Sequence, residues 1–178
     1  DLDVGHHATR EALKLMVHDN LLEVKSEGLY VRDIDMDDLK LISEIRLLLE
    51  GYSARFAARR ATPDDLLIIE TLIQEQSNIP EDDQQQWFEI DHKLHQAIAR
   101  AAHNHYLAQS LEDFFTQSQR LWNLVLPEID FLASAVHEHK ELFDALRSGN
   151  DDKAEMIMQE HVKSFYARIQ DILSGKNE

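Results

Sequence analysis

Residues 84–102 of the chain read QQQWFEIDHKLHQAIARAA. Their large apolar side chains recur every three or four residues, as on one face of an amphipathic helix: Trp87, Ile90, Leu94 and Ile98. Asp91 falls inside this apolar stripe and His95 lies at its edge one turn later, whereas His92 points away. The segment therefore predicts a helix that packs on a core and turns two polar, metal-competent side chains towards that core.

The same helical period continues on both sides of this segment, from Met36 almost to the end of the chain. Residues 62–65, TPDD, are typical of a helix start, and residues 148–150, SGN, are typical of a helix end. We therefore expect helices at about 36–60, 63–76, 84–102, 104–123, 128–147 and 151–173. With few Gly and Pro and short connections, the pattern predicts an all-α fold, an antiparallel six-helix bundle.

Residues 1–34 have a different pattern from the rest of the chain. Helical spacing covers about residues 7–19, and the following run LLEVKSEGLYVRDI predicts two short strands turned around Ser26-Glu27-Gly28. The strands are expected at Leu22–Lys25 and Leu29–Arg32. We therefore divide the chain into a small unit, residues 1–34, and a helical domain, residues 35–178.

The composition limits the classes of function. The chain has 178 residues, and 34 acids against 18 Lys and Arg give a net charge of −16. This charge excludes a surface that coats nucleic acid uniformly, so any such contact must be local. The absence of Cys excludes disulfides, thiolate metal sites and a Cys nucleophile, and is compatible with a reducing cytoplasm. No apolar run approaches the roughly 18 to 20 residues of a membrane helix.

Two further histidines are expected to face the core. His139 lies in the middle of the apolar stripe of its helix and His161 lies on the flank of the stripe of the last helix, whereas His137 faces the opposite side. Together with Asp91 and His95, they form a set of four polar side chains from three helices. Because a buried unpaired carboxylate is costly, a divalent cation bound by all four would stabilise them. Three imidazoles and one carboxylate suit zinc or nickel, and also manganese, iron, cobalt or copper.

The same polar residues also fit simpler roles. Asp91 and His95 could form a mutual ion pair, and the polar core could be structural without any metal. Arg46 lies near the apolar face of its helix and could bind a carboxylate in a bidentate manner, or it could pair with Glu50 on the surface. We find no Gly-rich phosphate loop, no Gly-x-Ser-x-Gly elbow and no paired-His metalloprotease helix.

Several runs of the sequence resemble a known family. Residues 4–13 (VGHHATREAL), 20–24 (NLLEV) and 28–31 (GLYV) resemble the second half of the winged helix-turn-helix of GntR-type bacterial transcription regulators. The rest resembles the FCD effector domain of the FadR-type branch. The runs that carry this second resemblance are IRLLLE (45–50), AARRAT (57–62), DHKLH (91–95), AHN (102–104), EHKEL (138–142), DAL (144–146) and EH (160–161).

The resemblance implies roles for particular residues. In the FCD domain, the positions of Asp91, His95, His139 and His161 bind a metal, a small carboxylate effector often completes its coordination, and Arg46 would contact that effector. In residues 1–34, a partial winged domain, the DNA-contacting residues would be His6, His7, Arg10, Lys14 and Lys25. His6 and Ala8 replace the family's usual Arg and Pro, so the base preference cannot be inferred. The first two helices of the winged domain have no counterpart here, so we expect an incomplete DNA-binding unit.

The resemblance thus predicts a cytoplasmic transcription regulator that is not an enzyme. Its partners would be operator DNA, bound through a complete winged domain, a small carboxylate metabolite and a second copy of the chain in a homodimer, with no membrane contact. The alternative is an all-helical metalloenzyme that acts on a small organic acid, since a metal with an open position can activate water.

Overall fold

The structure is a computed structural model, and it describes residues 5–19, 21–32, 36–80, 82–125 and 132–175. The chain divides into two compact units, Asp1–Asp35 and Met36–Glu178. Within the described residues, no helix is both long and apolar enough to cross a membrane.

Within its described residues, the first unit consists of one helix and a two-stranded hairpin. Helix α1 spans His6–His18, and strands β1 (Leu22–Lys25) and β2 (Gly28–Val31) pair in antiparallel register with Lys25 opposite Gly28. The second strand thus begins and ends one residue earlier than predicted. None of the residues of α1 is buried.

The second unit has six helices within its described residues: α2 (Met36–Arg60), α3 (Pro63–Ser77), α4 (Gln84–Ala101), α5 (His105–Val125), α6 (Leu132–Arg147) and α7 (Asp151–Leu173). The bounds differ from the predicted ones by at most two residues, except at the start of α6. The helix predicted from residue 128 falls partly on residues 126–131, which lie outside the described part of the chain. The predicted all-α class, with a preceding helix and hairpin, is confirmed.

Local sequence signals begin and end these helices as predicted. At the start of α3, the Asp65 backbone N–H donates to the Thr62 hydroxyl (3.2 Å), and the Thr62 backbone N–H donates to the Asp65 carboxylate (2.8 Å). This reciprocal capping box satisfies amides that have no partner inside the helix. After α6 the chain turns at Gly149, whose φ of +68° is a left-handed conformation that glycine adopts without strain.

Helix α2 is the central element of the bundle. It packs against α4, α5, α6 and α7, while α3 packs against α4 and α6. The apolar side chains with 2% exposure or less include Ala54, Ile69, Leu94, Ile98, Leu111, Phe115, Leu142, Met158 and Ile169. The face of α2 that points into this core also carries Arg46, Glu50 and Ser53, all at most 3% exposed. The centre of the bundle is therefore polar as well as tightly packed.

Candidate metal centre

Four metal-competent side chains meet inside the bundle. Asp91 and His95 come from α4, His139 from α6 and His161 from α7. Each offers one ligand atom, and these atoms all lie within 4.8 Å of one another. All four residues are buried, with exposures between 1% and 7%. The structure therefore brings together the set that the helical faces select.

The neighbouring histidines lie elsewhere. The side chain of His137 is 76% exposed, and its Nε2 lies 3.7 Å from the Glu141 carboxylate on the helix surface. His92 is partly buried outside the cluster, with its ring centroid 4.9 Å from that of Phe115. Burial lowers the pKa of His92 despite the opposing effect of Glu112. Variants of His92 and His137 are therefore suitable controls for substitutions of the four residues of the cluster.

The inner faces of the cluster consist of ring nitrogens and carboxylate oxygens. Nε2 of His139 lies 3.3 Å from Nε2 of His161 and 3.5 Å from Oδ1 of Asp91. Nε2 of His95 lies 3.8 Å from Oδ2 of Asp91. The Nε2 atoms of all three histidines therefore point towards the Asp91 carboxylate or towards one another.

The outer nitrogen of each ring has its own partner. Nδ1 of His139 donates to the side-chain oxygen of Gln76 (2.7 Å), and Nδ1 of His161 donates to the Glu138 carboxylate (2.6 Å). Nδ1 of His95 donates to the Glu50 carboxylate. The Gln76 amide nitrogen also donates to Oδ1 of Asp91 (3.1 Å). These partners are Glu50, Gln76 and Glu138, and the sequence analysis predicts none of these three contacts with the histidines.

Electrostatics differ between the histidines. Burial, together with His161 and His95, holds the pKa of His139 well below its ordinary value, so this ring is neutral and able to bind a metal. Burial also disfavours charge on His95, but the carboxylates of Glu50 and Asp91 outweigh it and raise the pKa of His95. The hydrogen bond from His161 lowers the pKa of Glu138 against the effect of partial burial.

Arg46 borders the cluster and bonds to Glu50 and Tyr166. Its Nε and Nη2 each lie 2.7 Å from Oε1 of Glu50, and its Nη1 donates to the Tyr166 hydroxyl (2.8 Å). The guanidinium also lies over the Phe115 ring, 4.1 Å from its centroid. The pairing of Arg46 with Glu50 exists, but the expectation of a surface pair is wrong. The pair is in the core because Glu50 also accepts a hydrogen bond from His95.

Arg46 and Glu50 remain charged although burial disfavours a charge on each of them. Burial raises the pKa of the Glu50 carboxyl, but Arg46 and then His95 outweigh it and lower the pKa to about 2. Burial likewise opposes charge on Arg46, while Glu50 and Tyr166 raise the pKa of Arg46 above its usual value. Both groups are therefore charged at neutral pH.

A small cavity opens beside these groups. It has a volume of about 10 Å³, and Arg46, Asp91, His95, His161 and Tyr166 contribute to its lining. This is about the space of one water molecule. The cavity is therefore too small for a carboxylate molecule.

The residues considered for DNA contact all lie in the first unit and are exposed. On α1, at about 100° per residue, His6, His7, Arg10 and Lys14 fall on one face. Lys14 pairs with Glu11 (2.8 Å), and Lys25, at the end of β1, pairs with Glu23 (2.5 Å). Four of the five thus share a helix face, and the fifth lies at the hairpin turn.

Comparisons with known proteins indicate the family. Residues 41–164 match the FCD domain family. LutR, an HTH-type transcriptional regulator of Bacillus subtilis, is 26% identical, with 97% of this chain and 86% of LutR aligned. The galactonate operon transcriptional repressor of Escherichia coli is 32% identical, with 79% of this chain and 61% of the repressor aligned.

Solved structures share the fold. Escherichia coli McbR/YncC superposes with a TM-score of 0.81 at 20% identity, over 94% of this chain and 81% of that chain. The metal-free FCD domain of the regulator TM0439 superposes with a TM-score of 0.65 at 20% identity, over 81% of this chain and 99% of that domain. The family and the curated relatives are transcription regulators and not enzymes, so the metalloenzyme alternative is not supported. The chain belongs to the FCD domain family and is a GntR-type transcription regulator of the FadR branch.

Proposed function

We propose that the chain is a DNA-binding regulator whose helical domain holds a divalent metal and senses a small carboxylate. In this proposal residues 35–178 are the effector domain, and residues 1–34 are the part of the chain that contacts operator DNA. The observation that carries the proposal is the convergence of Asp91, His95, His139 and His161, whose candidate ligand atoms lie within 4.8 Å of one another.

The hydrogen-bond directions make this convergence informative. Carboxylates and amide oxygens accept hydrogen bonds, so the Nδ1 atoms that face Glu50, Gln76 and Glu138 must carry the ring hydrogens. In the neutral rings Nε2 is then an acceptor, and three such nitrogens meet a carboxylate. A proton on His95 could satisfy only its contact with Asp91. A metal ion would satisfy all four acceptors at once.

The donor set also restricts the ion. Imidazole and carboxylate ligands suit zinc or nickel, with manganese, iron, cobalt or copper as further candidates. Four protein ligands either close a tetrahedral site or leave positions open on an octahedral ion. A bound metal with an open position supplies a Lewis-acid site for one oxygen of a carboxylate.

Arg46 supports a carboxylate as the effector class. Its buried guanidinium already binds one carboxylate, that of Glu50, through two nitrogens at 2.7 Å. A second carboxylate between Arg46 and the metal would match this charge and geometry. Because the cavity measures only about 10 Å³, the side chains around it must move apart when the effector binds. One relative is named for the galactonate operon, and galactonate is a hydroxycarboxylate.

Regulation requires that this movement affects DNA binding. We propose that effector occupancy biases the positions of the paired DNA-binding units in a homodimer. His6, His7, Arg10 and Lys14 on α1, with Lys25 on the hairpin, are the proposed contacts. Arg and Lys at such exposed positions serve phosphate positioning or base readout.

Calorimetry on metal-loaded protein, prepared without a nickel column, tests the proposal. A panel of di- and hydroxycarboxylates is titrated into wild type, Arg46→Lys and the surface control Arg147→Lys. Lys keeps the charge but loses the planar fork, and a charge-assisted hydrogen bond contributes about 1.5–3 kcal/mol, so Arg46→Lys should weaken binding about 10- to 100-fold. Arg147 pairs with Asp144 on the surface, so its variant should bind like wild type. If the affinity for the carboxylates is the same in Arg46→Lys as in wild type and is also unchanged after the metal is removed, the proposal is wrong.

A further inference from the structure

Three side chains outside the ligand set surround the candidate metal centre, and each faces the outer nitrogen of a different histidine. Glu50 comes from α2, Gln76 from α3 and Glu138 from α6. We propose that Glu50, Gln76 and Glu138 are positioning residues that fix His95, His139 and His161 as metal ligands through Nε2. This inference rests on the proposed metal site and goes beyond it by assigning which residues determine its affinity.

A neutral imidazole can carry its hydrogen on either nitrogen, and only the other nitrogen can bind a metal. An acceptor held against Nδ1 selects the form with the hydrogen there, orients the ring and increases the basicity of Nε2. In this structure the acceptors lie 2.7 Å from Nδ1 of His139 and 2.6 Å from Nδ1 of His161. The third acceptor, Glu50, contacts Nδ1 of His95.

Gln76 has a double role because it contacts two candidate ligands. Its oxygen accepts from His139, and its nitrogen donates to Oδ1 of Asp91 at 3.1 Å. The amide orientation is fixed by Asp91, since its carboxylate cannot donate and the amide nitrogen must therefore face it, which turns the amide oxygen towards His139. Gln76 is 1% exposed and lies in the last turn of α3, a helix that contributes none of the four ligands. Its side chain therefore connects α3 to ligands on α4 and α6.

Glu138 has a single role at the rim of the site. Its side chain is 31% exposed, and its carboxylate contacts Nδ1 of His161 on the neighbouring helix α7. Because Glu138 is partly exposed, replacing it leaves neither a large cavity nor a buried orphan charge. Variants at this position are therefore expected to fold even if variants at Gln76 do not.

The test is zinc affinity, measured by competition with a chelator on the full chain, for two series of variants. Loss of such an outer partner typically costs about 10- to 100-fold in metal affinity. Gln76→Leu removes partners from two ligands and should weaken zinc binding about 100-fold. Gln76→Glu keeps the acceptor for His139 but places a carboxylate against Asp91, so it should also weaken binding. Gln74→Leu, at an exposed position of the same helix, should bind zinc like wild type.

At the rim, Glu138→Leu should weaken zinc binding about tenfold, whereas Glu138→Gln retains an acceptor oxygen and should recover most of the affinity. Glu141→Leu, at an exposed position of α6, is the matched control. Long-range ¹H–¹⁵N spectra of the histidine rings provide a second measurement. In zinc-loaded wild type the hydrogens of His95, His139 and His161 should be on Nδ1, and Glu138→Leu should introduce a second form for His161.

The outcomes separate this inference from the proposed function. If wild type binds zinc and the variants at Gln76 and Glu138 bind it equally well, with unchanged ring spectra, Gln76 and Glu138 are not positioning residues, the inference is wrong and the metal site stands. If wild type binds none of zinc, nickel, manganese, iron, cobalt and copper, the metal site is wrong and this inference falls with it.

Discussion

Removal of a single candidate ligand should abolish the stabilisation of the fold by metal. An ion that binds the folded chain alone raises the free energy of unfolding by about 2.7 kcal/mol when its concentration is 100 times Kd. For a chain of this length, that corresponds to a rise in Tm of about 5–11 °C. Wild type should show this increment with zinc or nickel, and His139→Ala should show little of it.

The variants must be compared by the rise in Tm that added metal causes, because His139→Ala also changes stability when no metal is present. The imidazole is 1% exposed and donates to Gln76, so its removal leaves a cavity and an orphaned buried amide oxygen. An unsatisfied buried group costs about 1–3 kcal/mol whether or not metal is present. His137→Ala is the control, since the His137 side chain is 76% exposed and surface substitutions change stability by about 0.5 kcal/mol or less.

The assay is thermal unfolding of chelator-treated protein, with and without added metal, together with metal content after desalting. Wild type and His137→Ala should gain the same increment and hold the same amount of metal. The assignment of the ligands is wrong if added metal raises the Tm of His139→Ala as much as that of wild type. It is also wrong if His139→Ala and His137→Ala hold the same amount of metal.

The remaining predictions concern the DNA contacts and the start of α3. Arg10→Ala should weaken binding to duplex DNA and lower the salt slope of log K by about one, whereas Lys153→Ala on α7 should not. Thr62→Ala removes the capping box and should lower the free energy of unfolding in urea by about 1 kcal/mol, compared with little change for the mid-helix control Thr71→Ala. Hydrogen bonds from Thr62 lower the pKa of Asp65. The contribution of Asp65 to the free energy of unfolding should therefore be complete above about pH 4 and be lost as the pH falls through the folded-state pKa of Asp65. Asp65→Asn should not show this loss at acidic pH.

The candidate ligands could be selected from the sequence because helical periodicity is local information. Asp91 and His95 are one turn apart, and their direction follows from the apolar residues beside them on α4. The same reasoning places His139 and His161 on the inner faces of their own helices. This selection does not depend on which helices are neighbours, since any compact bundle directs such faces towards a common core.

The outer partners could not be selected in this manner because they depend on which helices are in contact. Gln76 lies 15 residues from Asp91 and 63 residues from His139 in the sequence, yet it bonds to both. At the end of a predicted helix, a glutamine looks like a solvated residue. On α2 the local pattern also misleads, because Ile45 is 41% exposed while Arg46 beside it is 3% exposed.

The burial of Arg46 follows from a network that no single helix contains. A buried carboxylate such as Glu50 is costly unless it is paired and its oxygens are satisfied. Arg46 satisfies one oxygen from a position one turn away, and His95 satisfies the other from α4. Without α4 the pair would be more stable on the surface, which is what the sequence of α2 suggests by itself. Arg46 therefore lies beside the candidate metal centre because Glu50 bonds both to Arg46 and to the candidate ligand His95. Since a substitution of Arg46 can act on His95 through Glu50, the metal content of each Arg46 variant must be measured before its affinity for the effector is compared with that of wild type.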